Sequence, residues 1–282
     1  RCYILKEMLA CVKYLVAVAA VASAANAVPG DIIASFNIPG LSLNGPRGLA
    51  FDGDAEYAVA DNRGPKQVRI LRFTFDGENA SVEKQFNCPA DVNWAMDLAW
   101  RPGSRNRIYV ADDLVKPQSR AKIIVLNADT GSLTNKFDGP FPVGKHVNGL
   151  TWDGSYLYAS SYESPLVYRL TTAGSVVASF AAAHPKNHGL AYGGRNLWVV
   201  SGRPNYDARE YTTAGFPVAR FPFKVNDEYV GGACFGRPSL QSIFVSTFTG
   251  EKYVYEISTD PLEYGPFAVE PASLGRVKAL FR

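Results

Sequence analysis

One phrase occurs five times along this chain: a short apolar strand ending in an aromatic residue, a tight turn carrying glycine, then a second apolar strand. The copies are Arg47-Gly-Leu-Ala-Phe51-Asp-Gly, Met96-Asp-Leu-Ala-Trp100-Arg-Pro-Gly, Asn148-Gly-Leu-Thr-Trp152-Asp-Gly, His188-Gly-Leu-Ala-Tyr192-Gly-Gly and Gly231-Gly-Ala-Cys-Phe235-Gly-Arg-Pro. They start 49, 52, 40 and 43 residues apart. A period of about 40 to 50 residues built only from strands predicts a β-propeller, because one such unit cannot bury its own faces and must stack against neighbours. The same repetition says much less about activity.

Reading onward from each phrase gives four strands per unit, a to d from the axis outward. In the third unit they fall at Asn148 to Trp152, Tyr156 to Ser160, Leu166 to Thr171 and Ser175 to Phe180, rich in β-branched and aromatic residues with turn residues between. The c to d turns repeat too: Asp76-Gly77, Asp129-Thr-Gly131, Thr172-Ala-Gly174 and Thr213-Ala-Gly215. Ile32-Ile-Ala-Ser-Phe36 copies the d strand Val176-Val-Ala-Ser-Phe180 yet precedes the first a strand, so it is expected to close the ring by completing the last blade. The segment 275–281 (Gly-Arg-Val-Lys-Ala-Leu-Phe) also reads as a strand and competes for that place. The expectation is an all-β propeller of five four-stranded blades, with six as the alternative if both terminal strands build a further sheet.

The chain begins with an export pattern. Lys13 precedes the apolar run Tyr14 to Ala22, and Ala25-Asn-Ala27 forms an A-x-A cleavage site, so residues 1–27 read as a signal peptide, within which Met8 stands where one of ordinary length would start. The run is too short to span a bilayer comfortably, which favours cleavage over stable membrane insertion and a secreted or periplasmic destination. Residues 28–282 form one propeller domain. The net charge is only +3, most of it in the first 27 residues, which argues against nucleic acid as a partner. Past the signal only Cys88 and Cys234 remain, too few for a disulfide framework. They read as unpaired thiols, with a bridge open only if the first and last blades are neighbours.

The segments Gly149-Leu-Thr-Trp-Asp-Gly-Ser-Tyr-Leu-Tyr-Ala-Ser and Gly189-Leu-Ala-Tyr-Gly-Gly-Arg-Asn-Leu-Trp-Val-Val resemble the repeats of secreted bacterial propellers of the NHL-like and streptogramin-lyase-like group. The ending Ser273-Leu-Gly-Arg-Val-Lys-Ala-Leu-Phe-Arg282 resembles that of exported propellers from environmental bacteria. The resemblance covers about residues 31 to 282 and implies the fold. It does not imply one function, since this architecture carries lyases, lactonases, cyclases and binding modules.

In such a blade the a to b and c to d turns lie on one face of the ring, and the b to c loops with the d to a crossovers on the other. The first face carries short Asp-Gly and Gly-Gly turns. The second carries nearly every reactive side chain and all three histidines. The candidate ligand-binding residues at its mouth are Trp94, Asp97, Asp112, His146, Asn148, Tyr162, His188, Arg203 and Tyr206.

Three functions suit that mouth. Asn148-Gly-Leu resembles a segment whose Asn is a metal ligand in the gluconolactonase family, but Arg47 and His188 stand where the resemblance asks for Glu and Asp. A streptogramin-lyase-like elimination asks for a Glu near the end of a b strand, and the b strands here end in Asp61, Asp112, Ser161, Gly202 and Thr247. A divalent metal on Asp97, Asn148 and His188, or on His146, His188, Asp97 and Asp112, suits imidazole and carboxylate chemistry. The third function is a non-catalytic module that stacks a glycan or grips a peptide or protein segment on exposed aromatics beside Asp, Asn and Arg. It is the preferred reading, without a required cofactor; a metal-dependent lactonase or lyase at the same mouth is the alternative. No nucleophile motif, phosphate loop or Cys-x-x-Cys is present.

Overall fold

The second strand of every repeat centres on an apolar run, and each is buried along its length apart from the first residues, Arg107 and Asn196, of two of them, as expected for a strand packed on both faces. The computed structural model describes residues 27–42, 46–76, 79–113, 118–182, 186–193, 195–202, 206–225, 230–236, 241–247 and 253–259. Residues 1–26 of the expected signal segment 1–27, and the C-terminal segment 275–281, lie outside the described residues.

β1 (Ile32–Asn37) comes first in the chain and is the outer strand of the last blade. Blade 1 is β2 (Pro46–Phe51), β3 (Tyr57–Asn62), β4 (Val68–Asp76) and β5 (Asn79–Asn87). Blade 2 is β6 (Ala95–Arg101), β7 (Arg107–Asp112), β8 (Lys122–Asn127) and β9 (Leu133–Asp138). Blade 3 is β10 (Gly149–Trp152), β11 (Leu157–Ser161), β12 (Ser164–Leu170) and β13 (Val176–Ala181). Blade 4 is β14 (Asn187–Gly193), β15 (Asn196–Ser201), β16 (Asp207–Thr212) and β17 (Pro217–Pro222). Blade 5 is β18 (Val230–Phe235), β19 (Ser242–Thr247) and β20 (Tyr253–Ser258), with β1 antiparallel to β20 at pairs such as Phe36 with Val254. Five blades therefore close the ring among the described residues, and the N-terminal strand is the clasp. The inner strands β2, β6, β10, β14 and β18 touch in order, β18 returning to β2.

Strand alternation explains how the blades adhere. Successive side chains point to opposite faces, so in β3 Ala58 and Ala60 pack with Leu98, Trp100 and Val110 of blade 2. Tyr57 and Val59 pack instead with Phe36, Phe244 and Val254 of blade 5. Cys88 sits against the first of these cores and Cys234 inside the second, on opposite sides of blade 1, which is why two neighbouring blades still leave both cysteines free. The d strands are the outer wall and mostly exposed.

The glycines of the c to d turns in blades 2 to 4 have a packing reason. Gly131, Gly174 and Gly215 have φ of 72°, 90° and 90°, a left-handed backbone that favours glycine. A Cβ at these positions would lie 2.3 Å from Phe86, 2.4 Å from Phe137 and 2.4 Å from Phe180, each on the d strand of the preceding blade. Each turn is thus seated on its neighbour's phenylalanine.

Candidate functional site

The repeated phrase is written across the ring axis layer by layer. Its first residues, Arg47, Met96, Asn148, His188 and Gly231, together with Tyr162 and Val230, line a cavity of about 240 Å³ on the loop-rich face. Its second residues are Gly48, Asp97, Gly149, Gly189 and Gly232, four glycines and one aspartate, and they close the axis. A Cβ on Gly48 would stand 2.7 Å from the Cα of Asp97, one on Gly189 2.6 Å from the backbone N of Ala233, and one on Gly232 2.1 Å from an Asp97 oxygen. Only glycine leaves room for inner strands this close and for the one side chain placed between them.

That side chain, Asp97, is fully buried. Its Oδ1 accepts the N–H of Leu49 at 3.2 Å, and its Oδ2 accepts those of Leu150 at 2.9 Å and Leu190 at 3.4 Å. Burial pushes its carboxyl well above the usual carboxylate range, while the N–H groups of Leu150, Leu98, Leu49 and Leu190 pull the other way. Asp97 therefore ties inner strands of four blades together at the axis and does not present its oxygens to the mouth.

Above this plug, Arg47 sets its guanidinium 5.5 Å from the Trp94 ring and donates from Nη1 toward the Met96 sulfur at 3.4 Å. Burial lowers its pKa, and the charge of Asp113 opposes that. The Tyr162 ring, 37% exposed, lies between two imidazoles, 5.7 Å from His146 and 5.9 Å from His188, stacked on the latter at 22°. Asn148 is buried, and its side-chain oxygen accepts the Tyr162 N–H at 3.1 Å, which fixes the loop that carries the ring. Burial, helped by the Lys186 charge, depresses His188 to about 4, so it is a neutral imidazole at ordinary pH. His146 is raised, chiefly by its side-chain contact from Nδ1 to Asp113, with burial opposing.

The acidic ends of the b strands act mainly as latches. Asp112 Oδ1 accepts the N–H of Asn93 at 2.6 Å and of Trp94 at 3.0 Å, and burial pushes its carboxyl up to about 7. Asp61 accepts the Ser42 N–H at 2.9 Å, and Glu163 accepts the His146 N–H at 3.1 Å. In blades 1 to 3 the b to c corner thus holds the crossover of the same blade.

Of the residues singled out from sequence, Asn148, Tyr162 and His188 come together at the cavity, with His146 on the far side of the Tyr162 ring. Trp94 stands beside Arg47, Asp97 lies beneath the floor, and Asp112 is turned onto the crossover. Tyr206 packs edge-on to Phe223, 6.1 Å away, against the core shared by blades 4 and 5. Arg203 lies outside the described residues. Among the described residues no group of three or more His, Cys, Asp and Glu side chains is arranged to hold a metal. The oxygens of Asp97 and the side-chain oxygen of Asn148, two of the three candidate ligands with His188, accept backbone N–H groups. Arg47, Met96 and Asp113 were missing from the candidate set. The first two share the phrase's opening position with Asn148 and His188, a signal already present in the repeat.

No protein-family model matches this chain, and no curated protein matches it. Among solved structures it is similar to glutaminyl cyclase from Myxococcus xanthus, with a TM-score of 0.59 and 14% identity over 82% of this chain and 96% of that one. It is also similar to virginiamycin B lyase from Staphylococcus aureus, with a TM-score of 0.48 and 18% identity over 80% and 69%. A streptogramin B lyase gives 0.45 and 15% over 80% and 86%. At such identities the likeness is one of fold: the chain is a five-bladed β-propeller with neighbours of the streptogramin-lyase-like and glutaminyl-cyclase-like kinds.

Proposed function

We propose that this chain is an exported ligand-binding propeller whose loop-rich mouth takes one acidic residue of a glycan or peptide. The observation that carries the reading is the half-buried Arg47 guanidinium at the floor of a cavity walled by Tyr162, His188 and Asn148. A cation held away from water favours an anionic partner more strongly than a solvated one would. The flat Tyr162 face suits a sugar ring or a peptide side chain, and neutral His188 adds a hydrogen-bonding group without adding charge. A cavity of about 240 Å³ is smaller than the roughly 300–1,000 Å³ of sites that swallow whole small molecules, so it fits one unit of a longer ligand.

The test is a glycan and peptide array probed with the full chain and with Arg47→Gln and Tyr162→Ala. Ligands carrying a carboxylate are expected to bind, and Arg47→Gln to weaken them about tenfold or more, the cost of one charge-assisted hydrogen bond. Equal binding of neutral and acidic ligands, or an unchanged profile in both variants, would overturn the reading. The second reading, catalysis at the same mouth, is favoured by the His146 and Asp113 pair beside Tyr162, a contact of the kind that orients a general base.

A further inference from the structure

The opposite mouth of the ring holds the larger cavity, about 790 Å³, on the face of short a to b turns. It shares no lining residue with the loop-rich mouth, and the Asp97 plug and its glycines stand between the two. Its wall is the fifth position of the repeated phrase, Phe51, Trp100, Trp152, Tyr192 and Phe235, one aromatic ring from each blade. Four of the five are only partly buried, although rings at inter-blade seams have every opportunity to bury completely, as Trp198 does.

The polar groups of this mouth narrow the ligand class. No Lys, Arg or His is among the described residues lining it. Asp52 turns back on its own hairpin, Oδ1 accepting the N–H groups of Asp54, Ala55 and Glu56 at 2.8, 3.0 and 3.0 Å. Asp153 does the same, accepting from Ser155 and Tyr156 at 2.7 and 2.6 Å and from the Tyr158 hydroxyl at 3.0 Å. An anion would therefore meet two carboxylates and no cation in the described lining, the nearby Arg72 and Arg101 being set against the Trp100 and Trp152 rings. The faces of Trp100 and Trp152 already lie under Arg72 and Arg101, at 4.8 and 5.5 Å, which leaves little to attract a second cation.

Gln241 is the exception. It lines the mouth on a left-handed backbone, φ 45°, unusual outside glycine, and its amide oxygen is buried without a hydrogen-bond partner among the described residues. A turn of the amide offers that oxygen to a donor inside the cavity.

We propose that the short-turn mouth is a second ligand site, for an uncharged, planar, largely aromatic small molecule carrying one hydrogen-bond donor, which pairs with Gln241. The volume falls within the range of ordinary small-molecule sites, and the lining matches their pattern of apolar wall with few polar points.

The full chain is titrated with 2-naphthol, with 2-methoxynaphthalene, which lacks the donor, and with 2-naphthoate, the anion of similar shape, while indole N–H signals are followed by NMR. Trp100 and Trp152 report this mouth and Trp94 the other. The expected result is a saturable shift at Trp152 with 2-naphthol, Kd below about 1 mM, binding about tenfold weaker for 2-methoxynaphthalene, and weaker still for the anion. Gln241→Met, similar in shape but without the amide acceptor, should erase the preference for naphthol over its methyl ether. A Trp152 signal that does not move, shifts confined to Trp94, naphthoate binding as tightly as naphthol, or a preference that survives Gln241→Met would each overturn the proposal.

Discussion

Replacing Asp97 by alanine should be among the most destabilising single changes in this protein. The carboxylate is fully buried and receives N–H groups from Leu49, Leu150 and Leu190, with Leu98 as a fourth donor. A buried donor left without a partner costs about 1–3 kcal/mol, so four of them cost about 4 kcal/mol even at the low end, before any vacated volume is counted. A whole domain is stable by only about 5–15 kcal/mol. Asp97→Asn keeps the shape and one carbonyl oxygen, which can still serve Leu150 and Leu190, but turns an NH₂ toward the Leu49 N–H; it should lose about half as much. The assay is urea unfolding at neutral pH followed by tryptophan fluorescence, with stabilities extrapolated to water. If Asp97→Ala unfolded within about 1 kcal/mol of the parent, the four donors would be satisfied another way and the axial tie refuted.

Gly174→Ala meets both a φ of 90° and the Phe137 ring, whereas Gly154→Ala, φ 95°, meets nothing within 4 Å. The first should cost about 2 kcal/mol or more in urea unfolding and the second about 1 kcal/mol; equal losses would contradict the seating of each turn on its neighbour. His188 titrates at about 4 when folded, so below its ordinary pKa the unfolded chain binds the proton first. Stability should therefore fall as pH drops from about 6.5 toward 4, by at most about 3 kcal/mol, and His188→Gln should flatten that limb. His146 has the opposite sign, because its folded pKa is raised: its pairing with Asp113 is present at low pH and is lost as pH rises through the folded value. His146→Gln should accordingly cost more stability at pH 6 than at pH 9, and an equal cost at both would refute the pair.

The fold was legible because each blade repeats the same chemistry. The d-like strand Ile32 to Phe36 and the turn glycines Gly131, Gly174 and Gly215 carry blade order and ring closure in their spacing alone. The axial plug was visible as four glycines and an aspartate at one repeat position, but its meaning depends on how near five inner strands approach, a property of the closed ring. The same geometry governs the two mouths. The aromatic position of the repeated phrase ends an inner strand, yet in a ring of five blades the rings at that height, Trp152 and Tyr192 among them, also bound a cavity, so the face of short turns carries the larger of the two hollows. Asp112 looked reactive at a strand end, and the crossover N–H groups of Asn93 and Trp94 claim its Oδ1 instead. Burial of that kind comes from contacts between segments distant in sequence, which no local spacing records.

The central claim is that the loop-rich mouth binds without transforming its ligand, and it is tested most directly by calorimetric titration of the full chain with the strongest acidic array ligand, followed by mass analysis of that ligand. The account predicts one ligand per chain, an affinity unchanged by chelator or by added Ca²⁺, Mg²⁺ or Zn²⁺, weakening in Arg47→Gln, and the ligand recovered at its original mass. A ligand converted to a new mass by substoichiometric protein, with conversion lost in His146→Gln, would contradict it and assign the mouth to catalysis.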